Sequence, residues 1–126
     1  MEEKKRILVV DDDTSILSAF KGILEKAGYN VETAETGEEA LRLLSIAKFD
    51  LCLVDVRLPD MDGTELLLEM AESPETVKII ITGFSSEKVG IKAADYGADD
   101  FLVKPVRAEE LLAVIRQRLE VVQAKS

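Results

Sequence analysis

The 126 residues suffice for one domain of ordinary size with a single core, and 47% apolar with 33% charged residues is a globular balance. A formal charge of −9 repels nucleic-acid phosphates, and no apolar run approaches the roughly 18 residues of a membrane span, so neither direct nucleic-acid binding nor a membrane role is expected. Histidine is absent, which removes imidazole bases and most zinc sites, and a single cysteine excludes an intrachain disulfide; carboxylates must carry the chemistry.

Met1 is followed by Glu2, Glu3, Lys4, Lys5 and Arg6 and then a short apolar run, the wrong flanks and length for a secretory signal, so a cytoplasmic location is expected. Arg6-Ile7-Leu8-Val9-Val10 reads as the first strand, with Asp11, Asp12 and Asp13 directly after it. From Thr14, apolar residues recur at helical steps (Ile16, Leu17, Phe20, Ile23, Leu24, Ala27), and Gly28 stands where a left-handed cap is wanted. A half-polar second strand over 30–34 looks like an edge, and Thr36-Gly37 leads into a helix from Glu38 to Ala47. Leu51-Cys52-Leu53-Val54-Asp55 is a third strand that delivers one carboxylate to its carboxyl end, with Cys52 read as a small buried hydrophobe. A Pro-containing turn closed by Gly63 follows, then a helix from Thr64 to Ala71 stopped by Ser73-Pro74. Residues 77–82 make a β-branched fourth strand, 87–96 a helix closed by Gly97, 100–103 a fifth strand, and Ala108 to Val122 the last helix.

Strands alternating with helices are βα units, which join parallel neighbours. The expected fold is therefore α/β: a doubly wound three-layer sandwich on a five-stranded parallel sheet, with the flavodoxin-like strand order 2-1-3-4-5. Ligands of such sheets sit beyond the strand carboxyl ends. Those ends carry Asp11 and Asp12, Asp55, Thr82 and Lys104, so four separate turns bring polar groups to one rim.

Three crowded carboxylates repel one another unless a cation neutralises them, and Mg²⁺ suits a few carboxylate oxygens while keeping waters and bridging to phosphate oxygens. Three carboxylates, Mg²⁺ and Lys104 sum to zero formal charge, a neutral pocket able to accept a phosphoryl group on a carboxylate, with Thr82 donating to a phosphoryl oxygen. Each residue alone has a plainer reading: Asp13 as a helix cap, Lys104 as a solvated charge, Phe101 and Met70 as core packing. Their joint placement at strand ends is what points to a site.

Val9-Val10-Asp11-Asp12, Asp55 with Pro59-Asp60-Met61-Asp62-Gly63, Thr82 and Lys104-Pro105 together resemble, in order and spacing, the receiver domains of two-component response regulators, over essentially the whole chain. The resemblance implies that Asp55 accepts a phosphoryl group from a partner histidine kinase or histidine phosphotransfer protein. It implies Mg²⁺ bound by Asp12, Asp55 and the backbone carbonyl of Arg57, with Asp11 holding a metal-bound water. Thr82 and Lys104 would hold the phosphoryl oxygens, the Lys104-Pro105 peptide would be cis, and Phe101 would be the switch aromatic, with a bias toward an inward ring. Arg57 and Phe84, two residues beyond Asp55 and Thr82, stand where the family tunes phosphoryl lifetime. The face formed by the fourth helix, fifth strand and fifth helix would meet an output domain or a second copy.

A phosphatase of the haloacid-dehalogenase kind needs a second acid two residues after the nucleophile, where this chain has Arg57, and a flavodoxin-like FMN carrier needs a phosphate-cradling loop where it has Asp11 and Asp12. A receiver-like module that is never phosphorylated is the remaining rival. The chain reads as one domain over 1–126, either a single-domain regulator or a piece of a longer one.

Overall fold

The computed structural model describes residues 4–70, 73, 75–83 and 97–125. Each apolar or β-branched run forms a strand at the expected bounds: β1 Arg6–Val10, β2 Asn30–Ala34, β3 Leu51–Asp55, β4 Val77–Thr82 and β5 Asp100–Val103. All neighbours pair in parallel, in the order β2-β1-β3-β4-β5. Registers are level at the carboxyl ends: Val10 lies opposite Val54, Asp55 opposite Ile81, and Thr82 opposite Val103. That levelling brings the polar residues after the strands to one rim.

Alternation along the central strands divides the core in two. Ile7, Val9, Leu51, Leu53, Ile79 and Ile81 pack against α1 (Thr14–Lys26) and the C-terminal helix (Ala108–Lys125). Leu8, Val10, Cys52, Val54 and Ile80 pack against α2 (Gly37–Ile46) and α3 (Gly63–Glu69). The result is the three-layer sandwich, with β1, β3 and β4 buried on both faces as their nearly continuous apolar runs require. Burial pushes the Cys52 thiol up to about 12, so it is an inert hydrophobe.

The helix ends follow their caps. The Asp13 carboxylate accepts the Ser15 and Ile16 amides at 2.9 and 3.4 Å, which makes it the N-cap of α1 and removes it from the rim chemistry. Gly28, at φ 101°, and Gly97, at φ 94°, take the left-handed conformation expected of them. Helix α2 starts and ends one residue before its predicted bounds, α3 stops at Glu69 rather than Ala71, and the C-terminal helix runs to Lys125 instead of Val122. The helix expected over 87–96 lies outside the described residues.

The outer strands are the polar ones. Along β2, Asn30 and Glu32 are exposed while Val31 and Ala34 are buried. On β5, the Asp100 carboxylate takes the Arg118 guanidinium of the C-terminal helix at 3.2 and 3.1 Å. Asp99, just before β5, turns its carboxylate to the sheet and accepts the Lys78 amide at 2.8 Å. Among the described residues, no helix is long and apolar enough to cross a membrane.

Candidate functional site

Asp55 ends β3 with only 8% of its surface exposed. One carboxylate oxygen accepts the Arg57 amide at 3.2 Å and the other accepts Lys104 Nζ at 3.2 Å. Asp11 is buried beside it, accepting the Asp13 amide at 2.9 Å on one oxygen and Lys104 Nζ at 2.9 Å on the other. Asp12 is exposed, and an oxygen from each of Asp11, Asp12 and Asp55 can be chosen so that all three lie within 4.8 Å of one another.

The electrostatics of this cluster are unbalanced. Burial drives the Asp55 carboxyl above its ordinary range; the Arg57 amide pulls it down, Asp11 raises it further, and Lys104 opposes the rise without cancelling it. Burial also works against the charge on Lys104, but its bonds to Asp11 and Asp55 outweigh that and raise its pKa. One ammonium thus bridges two of the three carboxylates, and the donor set is wholly hard oxygen at a spacing a small divalent cation can bridge.

The turn after β3 is built close to this cluster. Val56 donates to the Ile81 carbonyl at 3.1 Å, Leu58 donates to Met61 at 3.2 Å, Arg57 and Asp62 pair as an antiparallel bridge, and Gly63 donates back to Val56 at 2.7 Å. A side chain at Gly63 would run into the Asp55 carbonyl oxygen, so glycine is required by proximity. Asp62 then caps α3, accepting the Thr64 amide at 2.9 Å. Asp60 belongs to the sequence motif without a role that the motif itself supplies; its carboxylate accepts the Gly37 and Glu38 amides of α2, each at 2.9 Å. Its partners lie more than twenty positions away, so no local signal marks the contact.

Thr82 is buried at the end of β4, one position past the Ile81 that faces Asp55, and its carbonyl accepts the Lys104 amide at 2.7 Å. The Lys104-Pro105 peptide is cis. Parallel register puts Ile80 with Phe101 and Thr82 with Val103, so Thr82 and Phe101 stand on the same sheet face. Phe101, for which an inward bias is expected, is 39% exposed as a residue. Phe101 belongs to the last strand of the sheet, flanked by a neighbour on one side only, and an edge position leaves part of a large ring in solvent. The Arg57 backbone adjoins the cluster through its amide, while the residue is exposed. Phe84 lies outside the described residues.

Strand-end acids, a bridging lysine and this strand order define a class. The family model described as response regulator receiver domain matches residues 7–116, and the chain belongs to that family, the receivers of two-component signalling. Among particular relatives it resembles the alginate biosynthesis transcriptional regulatory protein AlgB of Pseudomonas aeruginosa, 38% identical over 97% of this chain. The chain spans only 27% of that relative's length. Among solved structures, a CheY-like receiver domain protein from Methanospirillum hungatei superposes with a TM-score of 0.95 at 42% identity, covering 98% of this chain and all of that one. A Burkholderia pseudomallei response regulator structure, described as containing a phosphorylated aspartic acid and a calcium ion, matches at a TM-score of 0.85 and 32% identity, covering 97% of this chain and 72% of that one.

Proposed function

We propose that Asp55 accepts a phosphoryl group from the phosphohistidine of a partner kinase or phosphotransfer protein in a Mg²⁺-dependent reaction in the cytoplasm. The observation that carries this is the placement of one nearly buried carboxylate at the end of the central strand, with Asp11 and Asp12 oxygens within 4.8 Å and Lys104 Nζ at 3.2 Å.

A carboxylate oxygen of Asp55 forms the new O–P bond as the P–N bond to the donor imidazole breaks, and that bond's electron pair leaves with the ring nitrogen. Lys104 stands where its ammonium can hold a phosphoryl oxygen, and Thr82, buried at the end of the neighbouring strand, would hold another. Asp12, Asp55 and the Arg57 carbonyl would hold Mg²⁺, with Asp11 behind them. When bound, the ion supplies the positive charge that the acids and the transferring phosphoryl group need. The phosphoryl group is lost by hydrolysis: water attacks phosphorus, inorganic phosphate leaves and Asp55 departs as a carboxylate; Arg57 and Phe84 set how readily that water arrives. The chain thus acts on its own side chain and turns over no external substrate. The phosphoryl group draws in the Thr82 hydroxyl, Phe101 turns inward, and the face formed by the fourth helix, β5 and the C-terminal helix changes shape for an output domain or a second copy. The phosphorylated aspartate described for the Burkholderia relative supports the reading.

Incubation with a small acyl phosphate and Mg²⁺, followed by intact mass, tests it. The wild type should gain one phosphoryl group and Asp55→Asn none. A variant that gained the group at the wild-type rate would show the acceptor to be elsewhere.

A further inference from the structure

We infer that Asp60 is a positioning residue for the reaction at Asp55: its carboxylate ties the turn that carries Arg57 to the first amides of α2 and thereby holds the Arg57 backbone, whose amide lies on the Asp55 carboxylate, in place at the carboxylate cluster. This rests on the reading of Asp55 as a Mg²⁺-dependent phosphoacceptor.

Two bonds make the tie. One Asp60 oxygen accepts the Gly37 amide at 2.9 Å and the other accepts the Glu38 amide at 2.9 Å. These amides are among those a helix start leaves without internal partners, and α2 already has a local cap, since Thr36 Oγ1 accepts the Glu39 amide at 3.0 Å. The helix therefore takes two further acceptors from a remote turn. Surface charge does not explain the contact, because Glu38 and Glu39 put like charges in the same helical turn. The amides hold the Asp60 carboxyl below its ordinary range despite them.

The turn behind Asp60 has little freedom to absorb a displaced tip. Gly63 to Val56 closes its base at 2.7 Å and Leu58 to Met61 at 3.2 Å closes the end from which Asp60 projects, the two bonds that make Arg57 and Asp62 an antiparallel bridge. Arg57 sits between the base at Asp55 and the tip at α2, its amide on the Asp55 carboxylate at 3.2 Å. The joint is tight on the helix side too: a Cβ on Gly37 would overlap the Met61 thioether. Gly37 does not have a positive φ, so close approach of the turn, rather than backbone conformation, accounts for glycine there.

The test compares Asp60→Ala, Asp60→Asn and Thr36→Ala in the full chain. Three quantities are read: the Mg²⁺ dissociation constant by titration with the metal alone, the amide exchange rate of Gly63, and the Mg²⁺ dependence of phosphorylation by an acyl phosphate. Asp60→Ala should weaken Mg²⁺ by about tenfold, the lower range for groups that orient metal ligands. Its Gly63 amide should exchange faster, and its phosphorylation rate should recover at saturating Mg²⁺. Asp60→Asn, which keeps one acceptor oxygen, should fall between. Thr36→Ala strips only the local cap, so it should lower the melting temperature and leave Mg²⁺ affinity unchanged. An Asp60→Ala protein that melts lower but binds Mg²⁺ like the wild type overturns the inference, as does equal weakening by Thr36→Ala. A wild type that neither binds Mg²⁺ nor gains a phosphoryl group removes the reading of Asp55 itself, and this inference with it.

Discussion

Lys104 rests closer to Asp11 than to Asp55: its Nζ lies 2.9 Å from the one carboxylate and 3.2 Å from the other. A single ammonium shared between two nearly buried acids is held by both and committed to neither, which leaves it able to swing onto a third anion. Lys104→Ala should slow phosphorylation by about 100-fold, the scale of losing one charge-stabilising donor at a reacting group. The same variant should show a larger stabilisation by Mg²⁺, since Asp11 and Asp55 then lose the ammonium they share. An unchanged rate of mass gain would remove Lys104 from the phosphoryl pocket.

Stability against pH should carry the mark of Asp55. An acid whose pKa is higher in the folded than in the unfolded state favours folding while protonated, below the unfolded value, and that contribution is lost as pH rises through the folded value. Burial, reinforced by Asp11, places Asp55 on that side of its ordinary 3.8. The metal-free wild type should therefore lose this contribution on leaving the acid range. Above it, metal-free Asp55→Asn should melt higher than the wild type and respond far less to Mg²⁺. Lys104 has the opposite sense: its pKa is raised above 10.5, so its stabilisation is full at neutral pH and fades only in strong alkali. Melting curves over a pH series, with and without Mg²⁺, separate the two.

Two glycine substitutions should move stability in opposite directions. In Gly63→Ala the new methyl would overlap the Asp55 carbonyl oxygen and sit 2.9 Å from its carbon. Backbone cannot rotate out of the way, so a loss of about 1–3 kcal/mol is expected, together with slower phosphorylation as the turn is pushed off β3. Gly22 lies within α1, where an added methyl would meet nothing inside 4 Å, and Gly22→Ala should gain about 0.5–1 kcal/mol from reduced unfolded-chain freedom. Denaturant midpoints measure both.

Phosphorylation should be visible at Phe101. Thr82 and Phe101 share a sheet face, and Phe101 starts 39% exposed, so it has apolar surface to gain by turning inward when the Thr82 hydroxyl moves. Beryllofluoride with Mg²⁺ should shift the Phe101 ring resonances in the wild type and leave them in place in Thr82→Ala. Shifts confined to the neighbourhood of Asp55 would reject the switch while leaving the acceptor role intact.

Strand bounds were legible because buried parallel strands admit little but Ile, Leu, Val and Cys, and their ends are marked by the first acid or turn residue. The rim was legible for the same reason, since Asp11, Asp55 and Lys104 each follow an apolar run directly. Helix ends were less so: α3 stops at Glu69 although Met70 continues the apolar pattern, and Met70 is buried outside the helix, at φ −95° and ψ 6°. The exposure of Phe101 was not legible, because burial at a sheet edge depends on what covers the strand, which residue type alone does not encode. Asp60 was missed because its partners are backbone amides of another helix, and amides carry no residue identity.

The half-polar character of β2 governs how copies of this chain can meet. Glu32 is the middle residue of that strand, exposed on an open edge. A two-fold antiparallel pairing of two β2 edges centred on that residue would set Glu32 directly against its own counterpart, two like charges at cross-strand distance. Continuous sheets through this edge are therefore disfavoured, and a copy that adds to the sheet is directed away from β2.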